Sequence, residues 1–151
     1  MIRLLGSVAL IVCLSVLPAR AALGGDVTSI DADQVRMKGS VELKQSAAFN
    51  VHQIKVPTGT LVREYVSPAG RVFAIAWNGP FLPDLQQLLG NYFDQYSAGV
   101  KANKASYIGR RPLNLQLPGL VVQMTGHVRD YHGRAYLPNE VPDGVKVEDL
   151  W

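Results

Sequence analysis

The chain opens on an almost uninterrupted apolar run, Leu4 to Leu17, and beyond it the spacing of hydrophobic and polar positions changes from one segment to the next. Thr28 to Lys38 carries a thin apolar face, Ile30 and Met37. With Thr28 as N-cap three residues before Asp31 and Gly39 placed as a stop, it predicts a short helix. Phe49 to Val56 predicts a strand ended by Pro57-Thr58-Gly59. The clearest local pattern is LVREYVSPAGRVFAIAWNGP, in which two β-rich runs flank Ser67-Pro68-Ala69-Gly70 and predict a hairpin. Pro68 suits the second position of a type I turn, and Gly70 the left-handed residue that completes a three-residue loop, so Ser67 faces Arg71. Counting outward, Leu61, Arg63 and Tyr65 share a face with Phe73, Ile75 and Trp77. Val62, Glu64 and Val66 share the other with Val72, Ala74 and Ala76.

The strongest helical period follows. Asp84 serves as N-cap with Gln87 at the capping-box position, Leu85, Leu88, Leu89, Tyr92, Phe93 and Tyr96 form one stripe, and Gly99 is placed to end it. The small Val and Ala side chains of the hairpin would let this helix approach closely. Val100 to Pro112 is polar and basic, with Lys101, Lys104, Arg110 and Arg111, and reads as a solvated connection. Leu113 to Leu117 and Leu120 to Asp130 are strand candidates separated by Pro118-Gly119. Asp130-Tyr131-His132-Gly133 then predicts a second turn into Arg134 to Leu137. Two hairpins around one amphipathic helix, with a short N-terminal helix, predict an α+β domain with a mainly antiparallel sheet.

Composition narrows the picture at the amino terminus. Arg3, the apolar run of Leu4 to Leu17 and the small-residue site Ala19-Arg20-Ala21 have the order of a cleaved export signal, and the run is shorter than the roughly 20 residues a spanning helix needs. Residues 1–21 are therefore expected to be removed, leaving 22–151 as one domain, periplasmic or secreted, with no membrane span. Arg3 and Arg20 fall in the leader, so 15 basic against 12 acidic residues become 13 against 12, and the charge that would favour nucleic acid disappears. Cys13, the only cysteine, leaves with the signal. No disulfide, cysteine nucleophile or thiolate metal site is then expected, and no cofactor is called for.

Four segments together carry a resemblance: ALGG after the leader, VPTGTLVREYVSPAGRVFAIAWNGP, LPDLQQLLGNYF and GHVRDYHGRAYLP. In this order they resemble an exported bacterial family catalogued as domain of unknown function 2844. The likeness covers nearly all of the chain after the leader. It implies an exported protein and supplies no activity and no catalytic motif.

Candidate chemistry is sparse. Gly126 to Gly133 holds two of the three histidines, but His127 lies in a strand and His132 at the expected turn tip, roughly 15 Å further along an extended chain, so the rings need not converge. His52 joins them only if its strand is a neighbour. Neither Ser67 nor Ser97 lies in a nucleophile elbow, and Glu64, Asp84 and Asp130 have simpler duties as strand charge, helix cap and turn former. A small hydrolase or metal-dependent enzyme using His127 to His132 is thus the alternative reading. The first is a non-enzymatic binding or accessory protein whose partner is an unknown protein or envelope component. Its expected contact surface is Arg63, Tyr65, Phe73 and Trp77, either an open aromatic face or, in the simpler reading, core covered by the second hairpin or the tail. The export reading predicts that protein recovered from its native envelope begins at Ala22. An intact mass that retains Met1 would contradict it.

Overall fold

The computed structural model describes residues 23–104 and 112–151; the expected signal at 1–21, and Arg110 and Arg111 of the basic connection, lie outside them. The domain is α+β, built on a seven-stranded sheet in the order β1-β2-β3-β4-β7-β6-β5 with every neighbouring pair antiparallel. The strands are β1 (Ser40–Gln45), β2 (Asn50–Lys55), β3 (Leu61–Val66), β4 (Val72–Gly79), β5 (Leu113–Leu117), β6 (Leu120–His127) and β7 (Asp130–Tyr136). The helices are α1 (Ile30–Met37), α2 (Leu85–Leu89) and α3 (Phe93–Lys104). No helix among the described residues is long and apolar enough to cross a membrane.

Several expected boundaries move, each for a local reason. The first helix begins as a 3-10 turn over Val27–Ser29 capped by Asp26, whose side chain accepts from the Thr28 N–H, and α1 follows only from Ile30. The expected single helix from Asp84 is two: Asp84 accepts from the Gln86 and Gln87 N–H groups, but Gly90 adopts φ +49° and a 3-10 turn separates α2 from α3. Gly99 lies inside α3, against Leu117, and the helix runs on to Lys104 through what was expected to be loop. The edge strand β1 has no counterpart among the sequence-based elements. Its residues, SVELKQ, are mostly exposed, so no alternation of buried and solvated positions marks it.

The first hairpin forms its turn as expected, with Ser67 N–H donating to the Arg71 carbonyl and Gly70 at φ +78°. The register departs one pair further on. Val66 opposes Val72, but Tyr65 opposes Ala74, so Phe73 is an extra residue in a β-bulge. One inserted residue reverses the facing of everything beyond it. Ile75 and Trp77 therefore lie beside Glu64 and Val62, whereas Ala74 and Ala76 lie beside Tyr65 and Arg63. This corrects the expected grouping of Trp77 with Arg63, Tyr65 and Phe73. The bulge is held by its surroundings, since Leu137 N–H donates to the Phe73 carbonyl while Val72 exchanges hydrogen bonds with Gly24 and Gly25.

The main core lies between this sheet face and the helices. Ile54, Val62, Trp77 and the backbone of Gly133 form one row across β2, β3, β4 and β7, and a Cβ at Gly133 would run into the Trp77 indole. Leu85, Leu88 and Leu89 of α2 and Ile30 of α1 complete it, with Tyr92, Phe93 and Tyr96 half-buried at its margin. The helix stripe read from the sequence is thus the stripe that packs.

The next row contains His52, Glu64, Ile75 and Ala135, and places a carboxyl in the middle of the interface. Glu64 is 1% exposed and Asp33, reaching down from α1, 0%. The two carboxyls meet, and Gln87 Nε2 on α2 donates to Asp33 Oδ1. With both ionised, Asp33 Oδ2 and both Glu64 oxygens would have no hydrogen-bond donor. Burial pushes the Asp33 carboxyl up to about 6, and burial together with the Asp33 charge raises Glu64 well above the usual carboxylate range. Both shifts favour protonation, and a proton held on Glu64 would let it donate to Asp33 and link α1 to the sheet.

Two outcomes follow from this core. A carboxyl raised in the folded state holds a proton that the unfolded chain releases. Its stabilisation is complete below the ordinary carboxylate pKa of about 4, and is lost as pH rises through about 6 for Asp33 and higher for Glu64. The melting temperature is expected to fall between pH 5 and pH 9, and Glu64→Gln to remove most of that slope and stabilise the alkaline protein; an unchanged slope in the variant would count against a proton held on Glu64. Trp77→Ala is expected to cost about 3 to 5 kcal/mol in denaturant unfolding, the range for an aromatic lost from a packed core. A loss under about 1 kcal/mol would place Trp77 at the periphery.

Candidate functional site

The opposite face of the sheet is covered over only half its extent. Its apolar end presents Val51, Tyr65, Ala74, Tyr136 and Val121 in one row, with Phe49 and the bulge residue Phe73 beside them. Phe49, Tyr65 and Phe73 form an aromatic cluster with ring centroids 5.6, 6.1 and 6.3 Å apart. The chain's last segment lies over this cluster, with Leu150 fully buried and Val141, Val145 and Val147 packed around it.

Three contacts fasten that segment. Tyr65 Oη donates to the Trp151 carbonyl at 3.2 Å, Arg134 Nη1 donates to the Val147 carbonyl, and the Arg134 guanidinium stacks 4.4 Å from the centroid of the Trp151 ring. A surface pair, Arg71 with Glu140 at 3.3 Å, adds little by comparison. The expected surface of Arg63, Tyr65, Phe73 and Trp77 is therefore divided. Tyr65 and Phe73 are buried beneath the tail, Trp77 is buried on the other side of the sheet, and only Arg63 retains partial access to solvent. The covered-core alternative describes these aromatics, with the tail as the cover on one face and the helices on the other.

Beyond the tail the same face turns polar and, apart from the buried Ala76 and Arg134, is at least partly open to solvent. One row runs Glu42, Gln53, Arg63, Ala76, Arg134, Gln123 and Asn114; the next contains Lys55, Leu61, Asn78, His132 and Thr125. The side chains are held by one another. Arg63 Nη1 donates to Asn78 Oδ1 at 2.7 Å, Arg134 Nε donates to Gln123 Oε1 at 2.7 Å, and Gln123 Nε2 donates to Asn114 Oδ1 at 3.4 Å. Between β1 and β4 the surface sinks into a shallow hollow of about 460 Å³, with Glu42, Gln53, Lys55, Leu61 and Asn78 in its lining. At the other side Trp151 is 46% exposed, an aromatic plane beside Arg134.

The histidine-bearing hairpin borders this region and differs from its expected form. The turn is Val128-Arg129, with Arg129 at φ +67°, and β7 already begins at Asp130; Gly133 is a strand residue beneath Trp77 and not the end of a turn. His127 pairs with Asp130 in this register, and His132 lies two residues further on the same face. Asp130 therefore stands between both rings, with Oδ1 2.7 Å from His132 Nε2 and Oδ2 3.8 Å from His127 Nε2. Sequence reasoning kept these rings apart because it placed the turn three residues too late. His52 belongs to the helix-covered face, where burial lowers its pKa, and does not join them. Among the described residues no group of three or more His, Cys, Asp or Glu side chains is disposed to hold a metal ion.

Chemically, the open part of this face offers amides, the Arg63 guanidinium, an imidazole–carboxylate pair and one aromatic plane, while Arg134 is buried and held by Gln123, the Val147 carbonyl and the Trp151 ring. Among the described residues neither Arg63 nor Arg134 takes part in a salt bridge. Such groups can hydrogen-bond and stack against a ligand. Of the sequence-based candidates only Arg63 belongs to this set. Asn78, Arg134, Gln123 and Trp151 were missed, because their convergence depends on strand order and on the bulge, which local patterns do not disclose.

No curated protein and no solved structure matches the chain. A family model does, over residues 19–150 and hence nearly all of its length, and it agrees with the resemblance carried by the four segments. The chain belongs to the DUF2844 family, proteins of unknown function.

Proposed function

We propose that this is an exported, non-enzymatic binding or accessory protein of the bacterial envelope, and that it engages its partner through the polar half of the tail-covered sheet face. The observation that carries this reading is the contrast between the two faces. One is packed against helices across its centre; the other is closed by the tail at one end and left open at the other, with side chains already held in hydrogen-bonded pairs. Fixed donors and acceptors lose little entropy on binding, which favours recognition by this surface. Export rests on the build of the leader, Arg3, Leu4 to Leu17 and Ala19-Arg20-Ala21.

A second reading, a small hydrolase or metal-dependent enzyme at His127 to His132, has the Asp130 carboxylate between two imidazoles in its favour. That arrangement orients a ring as acid–base sites do, but it lies at an exposed hairpin end, and none of its hydrogen bonds reaches a hydroxyl nucleophile among the described residues. The polar sheet face, not the hairpin end, is thus the better-supported site.

The test is retention of an envelope component by immobilised protein, compared across two variants. Arg63→Glu, which disrupts the array without touching either core, is expected to lower retention about tenfold or more while the melting temperature holds. His132→Ala is expected to leave retention within about twofold. Equal retention by the wild type and Arg63→Glu would remove the polar face from the account. Loss in His132→Ala alone would move the function to the hairpin.

A further inference from the structure

Among the described residues nothing pairs with the outer side of β1, and this edge has a sequence that can pair with itself. Residues 40–45 pair with β2 without a bulge over their whole length, and no proline interrupts them. Every other peptide group of β1 thus points away from the sheet, a row of donors and acceptors with no partner among the described residues. The side chains do not shield it. Glu42, Leu43, Lys44 and Gln45 are exposed, Leu43 at 48%, and the nearby α1 leaves Val35 75% exposed.

We propose that a second copy of this chain pairs with β1, strand to antiparallel strand, so that the two sheets join into one across a two-fold axis at Leu43. The register follows from side-chain facing and charge. A two-fold axis perpendicular to the sheet keeps each face on its own side, so paired residues must share a face and the axis must pass through a residue. An axis at Glu42 sets two carboxylates opposite each other, and one at Lys44 sets two ammonium groups opposite each other. An axis at Leu43 sets Glu42 against Lys44 twice, Val41 against Gln45 twice, and Leu43 against itself. It is the register that pairs five of the six strand residues and meets no like charge.

The two ion pairs would fall on the polar, tail-bearing face and the leucine pair on the helix-bearing face, because Glu42 shares a row with Arg63, and Leu43 a row with Glu64. The opposite edge, β5, lacks this complementarity. Its residues LNLQL carry no charge, and α3 lies alongside it.

Sedimentation equilibrium of the purified protein, over concentrations on the order of 1 to 100 μM, tests the pairing. A monomer–dimer equilibrium is expected. Glu42→Lys and Lys44→Glu should each weaken it about tenfold or more, because each sets like charges opposite one another, and the double swap should restore it to within about threefold. Leu43→Lys, which brings two ammonium groups together at the axis, should also yield monomer. A chain that stays monomeric throughout, a dimer indifferent to Lys44→Glu, or a double swap that fails to recover would each overturn the proposal. All four variants alter exposed side chains, and circular dichroism with melting temperature shows that each remains folded.

Discussion

One inserted residue decides which residues this sheet buries on which side. Had β4 paired with β3 without interruption, Trp77 and Ile75 would share a face with Tyr65 and Arg63, and the helices would meet only alanine and valine. The bulge at Phe73 sends Ile75 and Trp77 toward α2, where large side chains are needed to fill the space under a leucine stripe, and turns Ala74 and Ala76 toward the tail. Small residues there let the last segment settle close to the sheet. Both layers of the domain thus depend on a single backbone irregularity, and the Gly24, Gly25 and Leu137 hydrogen bonds that hold it are correspondingly central.

The two faces then solve different problems. The helix-covered side packs by shape, Trp77 against Gly133 and leucines against β-branched residues, yet accepts two carboxyls at its centre, raised toward protonation by burial and met by the Gln87 amide. A buried acid pair costs stability relative to an apolar pair of similar volume, but it places α1 with a directional contact that hydrocarbon cannot supply. The tail-covered side is held by few contacts, and its exposed remainder is organised by polar side chains bonded to one another.

The sequence was legible wherever a local rule decided the outcome. Pro68 and Gly70 announced the first turn, Asp84 the helix start, and the Leu85, Leu88 and Leu89 stripe its buried face. It was illegible where a long-range condition decided. Nothing in VREYV or RVFAIAW marks Phe73 as the extra residue, since a bulge is set by what packs beyond the strands. The exposed strand β1 lacks an alternating pattern because neither of its faces is deeply covered. The DYHG turn was misplaced because Gly133 carries turn-like chemistry but is there to admit an indole. For the site, Arg63 was found by its place among aromatics that turned out to be buried, whereas Asn78, Arg134 and Trp151 are brought to it by β7 and the tail.

The strand order also bears on the time course of folding. The first four strands form a meander whose contacts are all between chain neighbours, but the open side of β4 is closed only by β7, which begins at Asp130, about fifty residues beyond the end of β4 in the chain. Until that late segment arrives, β4 presents an unpaired edge bearing Trp77 and Ile75, and the floor of the main core is incomplete. A chain interrupted before Asp130 would hold β1 to β4 with the inner edge of β4 left uncapped. Pairing β4 with β7 is a loop closure across two helices and a hairpin, the long-range contact on which completion of the sheet waits.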